Sequence, residues 1–223
     1  MPGFWEAFPA DRLLAEFSLW SADLLRLRDE IARAEPFADL FHIDVSDGHF
    51  TPRLLFFPDL TARVREATAR PLHVHLMADA AILEAQIDHF ADAGADLISV
   101  HDPKALDSIH ERGKAAGLVL TPDVPTQSVE PHLRRVDMIT LLGTPSGVKG
   151  QGLLPEALPR LRRTRAMLDA AGLAGRVRIG ADGGIRRDTV PQLRAAGADT
   201  VVMGSLAFGS DDLPATIGWL RSL

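Results

Sequence analysis

The chain has 223 residues, 46% of them hydrophobic, a formal net charge of −6 and no cysteine. That composition suits a globular protein with an apolar core, and the missing thiols exclude disulfides, thiolate nucleophiles and cysteine-ligated zinc. No basic run or aromatic–basic interleaving points to nucleic acid, and no apolar stretch approaches a membrane span.

In chain order, residues 1–11 come first, carrying Glu6 and the prolines Pro2 and Pro9. They lack the basic start and apolar centre of a secretory leader, so a cytoplasmic enzyme is expected. Apolar or β-branched runs follow at 13–19, 40–45, 72–76, 97–100, 118–121, 136–142, 177–181 and 200–203. Stretches with helical spacing lie between them, among them 21–35, 79–93, 155–171 and 188–196. Gly94, Gly117 and Gly197 fall where a helix must stop and turn back toward the next strand. Eight strand–helix units predict an α/β fold, a (β/α)8 or TIM barrel, forming a single domain over 1–223. Residues 1–11 form an extension before the first strand, expected to cross the barrel floor or to meet another subunit.

Three acidic and imidazole clusters stand out. The second run holds His42-Ile43-Asp44, the third His73-Val74-His75, and the seventh ends in Asp182-Gly183-Gly184. Side chains alternate along a strand, so His42 shares a face with Asp44, and His73 with His75. In this fold the chemistry gathers where strands end and loops begin. His42, Asp44, His75 and Asp182 can therefore converge there as a metal centre. His73 lies one inward layer deeper, a position suited to orienting His75. His101, ending the fourth strand, is read equally as a neighbour of the site or as a loop residue, and His49 as loop structure.

Glycines after the last strands suggest a second recognition element. Gly183 and Gly184, then Gly204 and Ser205, stand where this fold commonly binds a phosphate with backbone N–H groups and a short helix. Gly147, Val148, Lys149 and Gly150 would close over the ligand from the preceding loop. Three such loops on adjacent strands favour a sugar phosphate.

With these residues in view, the chain resembles the ribulose-phosphate 3-epimerase family, from Ser18 to Phe208. The likeness rests on Ser18-Leu19-Trp20-Ser21-Ala22-Asp23, His42-Ile43-Asp44 with Asp47-Gly48, and His75-Leu76-Met77. It continues through Val136-Asp137-Met138, Gly150-Gln151, Asp182-Gly183-Gly184-Ile185, Ala196-Gly197-Ala198-Asp199 and Gly204-Ser205. It implies a ribulose-phosphate-binding barrel with one divalent metal ion on His42, Asp44, His75 and Asp182. It further implies Asp44 and Asp182 as the acid/base pair, and Ser18, His75 and Met77 beside the substrate. The phosphate would lie on Gly147, Val148, Lys149, Gly150, Gly183, Gly184, Gly204 and Ser205. Family members are often homo-oligomers, dimers or hexamers.

The chemistry is coherent with that likeness. Inverting a carbon beside a ketone requires a proton to leave one face and another to arrive on the opposite face, which calls for two acid/base groups. Carboxylates with an ordinary pKa near 4 are weak bases for a carbon acid. A Lewis-acidic ion that stabilises the enediolate offsets that weakness. Two imidazoles and two carboxylates suit Zn, Fe(II), Mn or Co without choosing among them. Departures from the family pattern lie around this set: Ser46 and Leu142 where methionine is usual, Thr51-Pro52-Arg53, Thr121-Pro122-Asp123, Lys149, and His73 in place of a common aspartate. Ser46 is read as making the pocket more polar on one side. The ribulose 5-phosphate/xylulose 5-phosphate pair is the first substrate; a hexulose 6-phosphate such as allulose 6-phosphate, a shorter ketose phosphate, or a non-catalytic sugar-phosphate sensor stays open. A Schiff-base lyase is disfavoured, because Lys104, Lys114 and Lys149 all read as loop or helix positions.

Overall fold

The computed structural model describes residues 3–146 and 150–223. Its strands are β1 (Leu14–Ser18), β2 (Leu40–Asp47), β3 (Leu54–Leu55), β4 (Leu72–Met77), β5 (Leu97–Val100), β6 (Ala115–Leu120), β7 (Met138–Leu142), β8 (Arg178–Asp182) and β9 (Thr200–Met203). The helices are α1 (Leu27–Ala34), α2 (Pro58–Ala67), α3 (Leu83–Asp92), α4 (Leu106–Glu111), α5 (Ala157–Ala170), α6 (Val190–Ala195), α7 (Ser205–Phe208) and α8 (Leu213–Arg221). Eight strands pair in parallel in the order β1-β9-β8-β7-β6-β5-β4-β2, and β2 pairs back with β1 to close the barrel. Only β3 is antiparallel, folding onto the end of β2 through Ser46↔Leu55 and Asp47↔Leu54. The expected TIM barrel is the fold.

Strands covered by helices outside and by packed side chains inside are buried on both faces, which explains their near-continuous apolar runs. Outward residues such as Phe17, Phe41, Ile43, Val74, Ile98 and Val201 form the layer under the helices. Inside, a separate floor cluster joins Trp5 to Leu14, Leu40, Leu97 and Met138 at the strand starts. The extension thus takes the first of its two expected roles. Residues Phe4–Ala7 form a helical turn whose buried Trp5 donates its indole N–H to Asp137 O at 2.6 Å.

Several sequence expectations need correction. The stretch 21–35 is regular helix only from Leu27; before it lie two 3-10 turns, Leu19–Ser21 and Leu24–Arg26, the second running directly into α1. The Asp23 carboxylate accepts from Leu25 N at 3.1 Å, capping the second turn where the helical stretch starts. The stretch 188–196 becomes helical at Val190, because Pro191 is tolerated only in a first turn. Gly94 and Gly197 do stop their helices with positive φ. Gly117 does not: it lies inside β6, and the left-handed residue there is Gly113. A Cβ on Gly117 would stand 1.9 Å from Ser99 Oγ, so this glycine makes room for a neighbouring strand's side chain.

Candidate metal centre and substrate cavity

Parity along the strands works as expected. Ser18 from β1, His42 and Asp44 from β2, His75 from β4 and Asp182 from β8 all point inward and meet near the C-terminal mouth. Ligand atoms of His42, Asp44, His75 and Asp182 all lie within 4.8 Å of one another. His42 Nε2 stands 3.3 Å from Asp44 Oδ1, and His75 Nδ1 stands 3.5 Å from Asp44 Oδ1 and 3.9 Å from Asp182 Oδ2. The strand β2 runs on to Asp47, so His42 lies deeper than the rim and is fully buried.

Two observations fit a divalent ion to this cluster. His42 Nε2 and His75 Nδ1 are buried nitrogens with no hydrogen-bond partner, a costly arrangement unless something else satisfies them. Donors around one zinc-sized ion, each about 2.1 Å from it, stand roughly 3–4 Å apart. The separations above match that spacing, and the carboxylates supply two negative charges. A second group, Glu16, His42 and His73, also has metal-like spacing, but its atoms are spent on each other. His73 Nδ1 lies 2.6 Å and His42 Nδ1 3.2 Å from Glu16 Oε2, while His73 Nε2 meets Ser99 Oγ at 2.7 Å.

The two mouth carboxylates differ in character. Burial alone would raise Asp44, yet the imidazoles of His42 and His75 beside it hold its carboxyl well below the ordinary range. For Asp182 burial comes first and the Asp44 charge second, and together they push it up to about 6. Burial opposes a charge on His42, but Asp44 and Glu16 raise its proton affinity well above the imidazole norm. Ser18 Oγ donates to Asp44 Oδ2 at 2.9 Å, fixing the carboxylate's rotation.

Above the cluster opens a cavity of about 480 Å³. Ser18, Asp44, His75, Met77, Gly150, Asp182, Gly183, Gly184, Gly204 and Ser205 line it, so these expected site residues share one space. Gly147, Val148 and Lys149 lie outside the described residues. Gly183 and Gly184 have φ of 87° and 70°, and a Cβ on Gly183 would meet Thr144 Oγ1 at 2.3 Å. Glycine is therefore required where this turn presents its backbone to the cavity. The short helix α7 follows β9 through Gly204, which lines the cavity with Ser205.

Some readings change. Ser46 does not add polarity to the cavity: its hydroxyl is buried and bonded to Thr51 Oγ1 at 2.7 Å. His73 does not orient His75; it joins Glu16 and Ser99 beneath His42. His101 is a neighbour of the site, its Nε2 lying 2.9 Å from His75 Nε2 with the Phe50 ring tilted over it at 4.5 Å. Burial, then the adjacent His75, lowers His101 to about 3. His49 is loop structure, donating its backbone N–H to Asp47 Oδ1. Arg53 packs over the ring of Trp20, which lines the cavity, at 5.7 Å.

Three residues escaped the sequence reading. Arg186 lines the cavity beside Gly183 and Gly184 and donates to Gly150 O at 3.0 Å, tying two loops together. Trp20 lines the cavity with the Arg53 guanidinium over its ring. Glu16 is buried among apolar neighbours; the available signal was an acid inside an apolar run, two residues before Ser18 and so on the same face.

Comparisons with known proteins identify the family and the fold. The family described as ribulose-phosphate 3 epimerase family matches residues 14–208. The ribulose-phosphate 3-epimerase of Synechocystis sp. is 38% identical, the match covering 92% of this chain and 91% of that protein. That of Bacillus subtilis is 36% identical, covering 92% and 96%. Among solved structures, orotidine 5'-phosphate decarboxylase from Pyrococcus horikoshii superposes with a TM-score of 0.68 over 94% of this chain and 98% of its own. At 13% identity it supports the barrel fold alone.

Proposed function

Because the chain belongs to the ribulose-phosphate 3-epimerase family, isomerases that act on sugar phosphates, we propose that it inverts C3 of a ketose phosphate, interconverting ribulose 5-phosphate and xylulose 5-phosphate. One observation carries the reading: two carboxylates with opposite proton affinities stand beside two orphaned imidazole nitrogens on one cavity. Such a pair holds one base and one acid ready together.

In this mechanism the Asp44 carboxylate, steadied by Ser18, takes the C3 proton from one face of the sugar. The Asp182 carboxylic acid delivers a proton to the other face, and the roles exchange for the opposite epimer. A divalent ion on His42, Asp44, His75 and Asp182 would supply Lewis-acid stabilisation of the charge that develops on the ketone oxygen. That donor set suits Zn, Fe(II), Mn or Co. Met77, Leu142 and Val202 form the apolar wall of the cavity and keep water from the reacting carbon. Backbone N–H groups around Gly183, Gly184, Gly204 and Ser205 hold the phosphate at the far end, so binding energy from a non-reacting group orients C3 between the aspartates.

The test is an NMR assay of purified, metal-analysed protein against a panel of pentulose, hexulose and shorter ketose phosphates. Interconversion of the two pentulose 5-phosphates at the highest kcat/KM is the expected result. A hexulose 6-phosphate turning over faster would reassign the substrate, and no turnover or exchange with any ketose phosphate would reject the enzyme reading. The oligomer, expected to be a dimer or hexamer, is read by light scattering, where a monomer would contradict it.

A further inference from the structure

We propose that Glu16 is a positioning residue for His42: its buried carboxylate fixes that ring with Nδ1–H facing β1 and the Nε2 lone pair facing the mouth. This rests on the metal-centre reading above and adds a determinant of metal affinity that touches neither ion nor substrate.

The hydrogen bonds beneath the mouth fix which ring nitrogens face Glu16. Ionised Glu16 can only accept. Its Oε1 accepts from the Thr200 hydroxyl, and its Oε2 accepts from His73 Nδ1 at 2.6 Å and His42 Nδ1 at 3.2 Å. His73, neutral with its proton on Nδ1, accepts from Ser99 at Nε2, where the separation is 2.7 Å. Gly117 leaves the space that Ser99 occupies. Once Nδ1 of His42 donates to Glu16, its neutral ring has one lone pair left, on Nε2. That atom has no hydrogen-bond partner and stands among Asp44, His75 and Asp182.

Charge leads to the same conclusion. Glu16 is fully buried above an apolar floor, and no Lys or Arg pairs with it among the described residues. A buried carboxylate that no Lys or Arg neutralises is costly. A divalent ion one layer above would offset that cost, and in return the carboxylate makes His42 a more basic ligand. His75 differs, since its outer nitrogen faces another imidazole, His101, and no carboxylate. The two imidazoles are therefore unequal, and His42 is the one backed by charge.

The experiment measures Zn(II) and Co(II) affinity of the full chain by competition with a chromophoric chelator, together with the visible spectrum of bound Co(II). Wild type, Glu16→Gln, Thr200→Val and the control His75→Asn are compared. Glu16→Gln should stay folded, with a metal-free Tm no lower than wild type, and bind metal about 10- to 100-fold more weakly with a shifted Co(II) band. Thr200→Val, which removes one hydrogen bond to Glu16, should weaken binding about fivefold. Equal affinity and an unchanged Co(II) spectrum in Glu16→Gln, with His75→Asn still impaired, would overturn the role of Glu16 and leave the metal centre standing. If Glu16→Gln fails to fold, unchanged affinity in Thr200→Val would overturn it instead. Wild type without affinity for either ion, or unaffected by His75→Asn, would reject the metal centre itself and this proposal with it.

Discussion

Two polar layers lie one above the other inside this barrel and use the same residue types to different ends. The upper layer, His42, Asp44, His75 and Asp182, leaves two buried imidazole nitrogens without partners and drives its two carboxylates in opposite directions. In the lower layer, Glu16, His73, Ser99 and Thr200 bond to one another until none of their side-chain polar atoms is orphaned. A ligand-like composition thus does not identify a ligand site. Unsatisfied, converging atoms do, because burial makes them costly unless an outside group completes them.

The largest effect that would sharpen this contrast is metal removal. Exhaustive chelation should lower turnover at least about 100-fold, and Zn, Mn, Co or Fe(II) should restore it, since Lewis-acid stabilisation supplies several kcal/mol. Circular dichroism should show the stripped protein still folded, because the lower layer is complete without the ion. Full activity after verified stripping would break the comparison.

Next in size is the Gly183–Gly184 turn, proposed above to hold the phosphate. Gly183→Ala forces a side chain into a positive-φ position against Thr144 and should raise KM for the ketose phosphate about tenfold. It should also cost about 1–3 kcal/mol in urea unfolding. A normal KM would remove this turn from the phosphate site. Gly117→Ala should behave differently, pressing on Ser99 in the lower layer. Unfolding free energy should drop by about 1–3 kcal/mol, while kcat/KM at saturating metal stays within about threefold of wild type. A variant as stable as wild type would mean that layer is loosely packed.

The smallest effect is one of pH. His101 has a folded-state pKa near 3, below its ordinary value of 6.5. Between those values the unfolded chain binds a proton that the folded chain refuses, so this residue costs stability progressively as pH falls from about 6.5. His42, whose pKa is raised, has the opposite sign in the metal-free protein: its contribution is complete below 6.5 and lost as pH rises through the raised value. His101→Gln should flatten the fall of metal-free stability below pH 6.5, by up to about 1.4 kcal/mol per pH unit. Parallel curves for variant and wild type would contradict the assignment.

Much of this was legible before the coordinates. Apolar runs marked eight strands, and the His-x-Asp and His-x-His spacings, with Asp182 ending the seventh run, set four candidate ligands on inward faces at one end. The lower layer was hidden for a physical reason. Glu16 meets His73 and Thr200 only because β1 lies between β2 and β9, and those partners are 57 and 184 residues away. A lone acid in an apolar run does not disclose its register. Gly117 misled in the same way: its requirement comes from Ser99 across a strand pair, not from a helix end. Ser46 was placed on the correct face, but its bond to Thr51 depends on the hairpin formed by β3.

Solvent deuterium tracked at C3 by NMR, in metal-loaded wild type, Asp44→Asn and Asp182→Asn, tests the division of labour between the two aspartates most directly. Wild type should exchange C3 hydrogen and invert the centre. Each variant should lose inversion by at least about 100-fold, and any residual exchange should occur in one epimer only, a different one for each variant. Inversion near the wild-type rate in either variant would contradict the account.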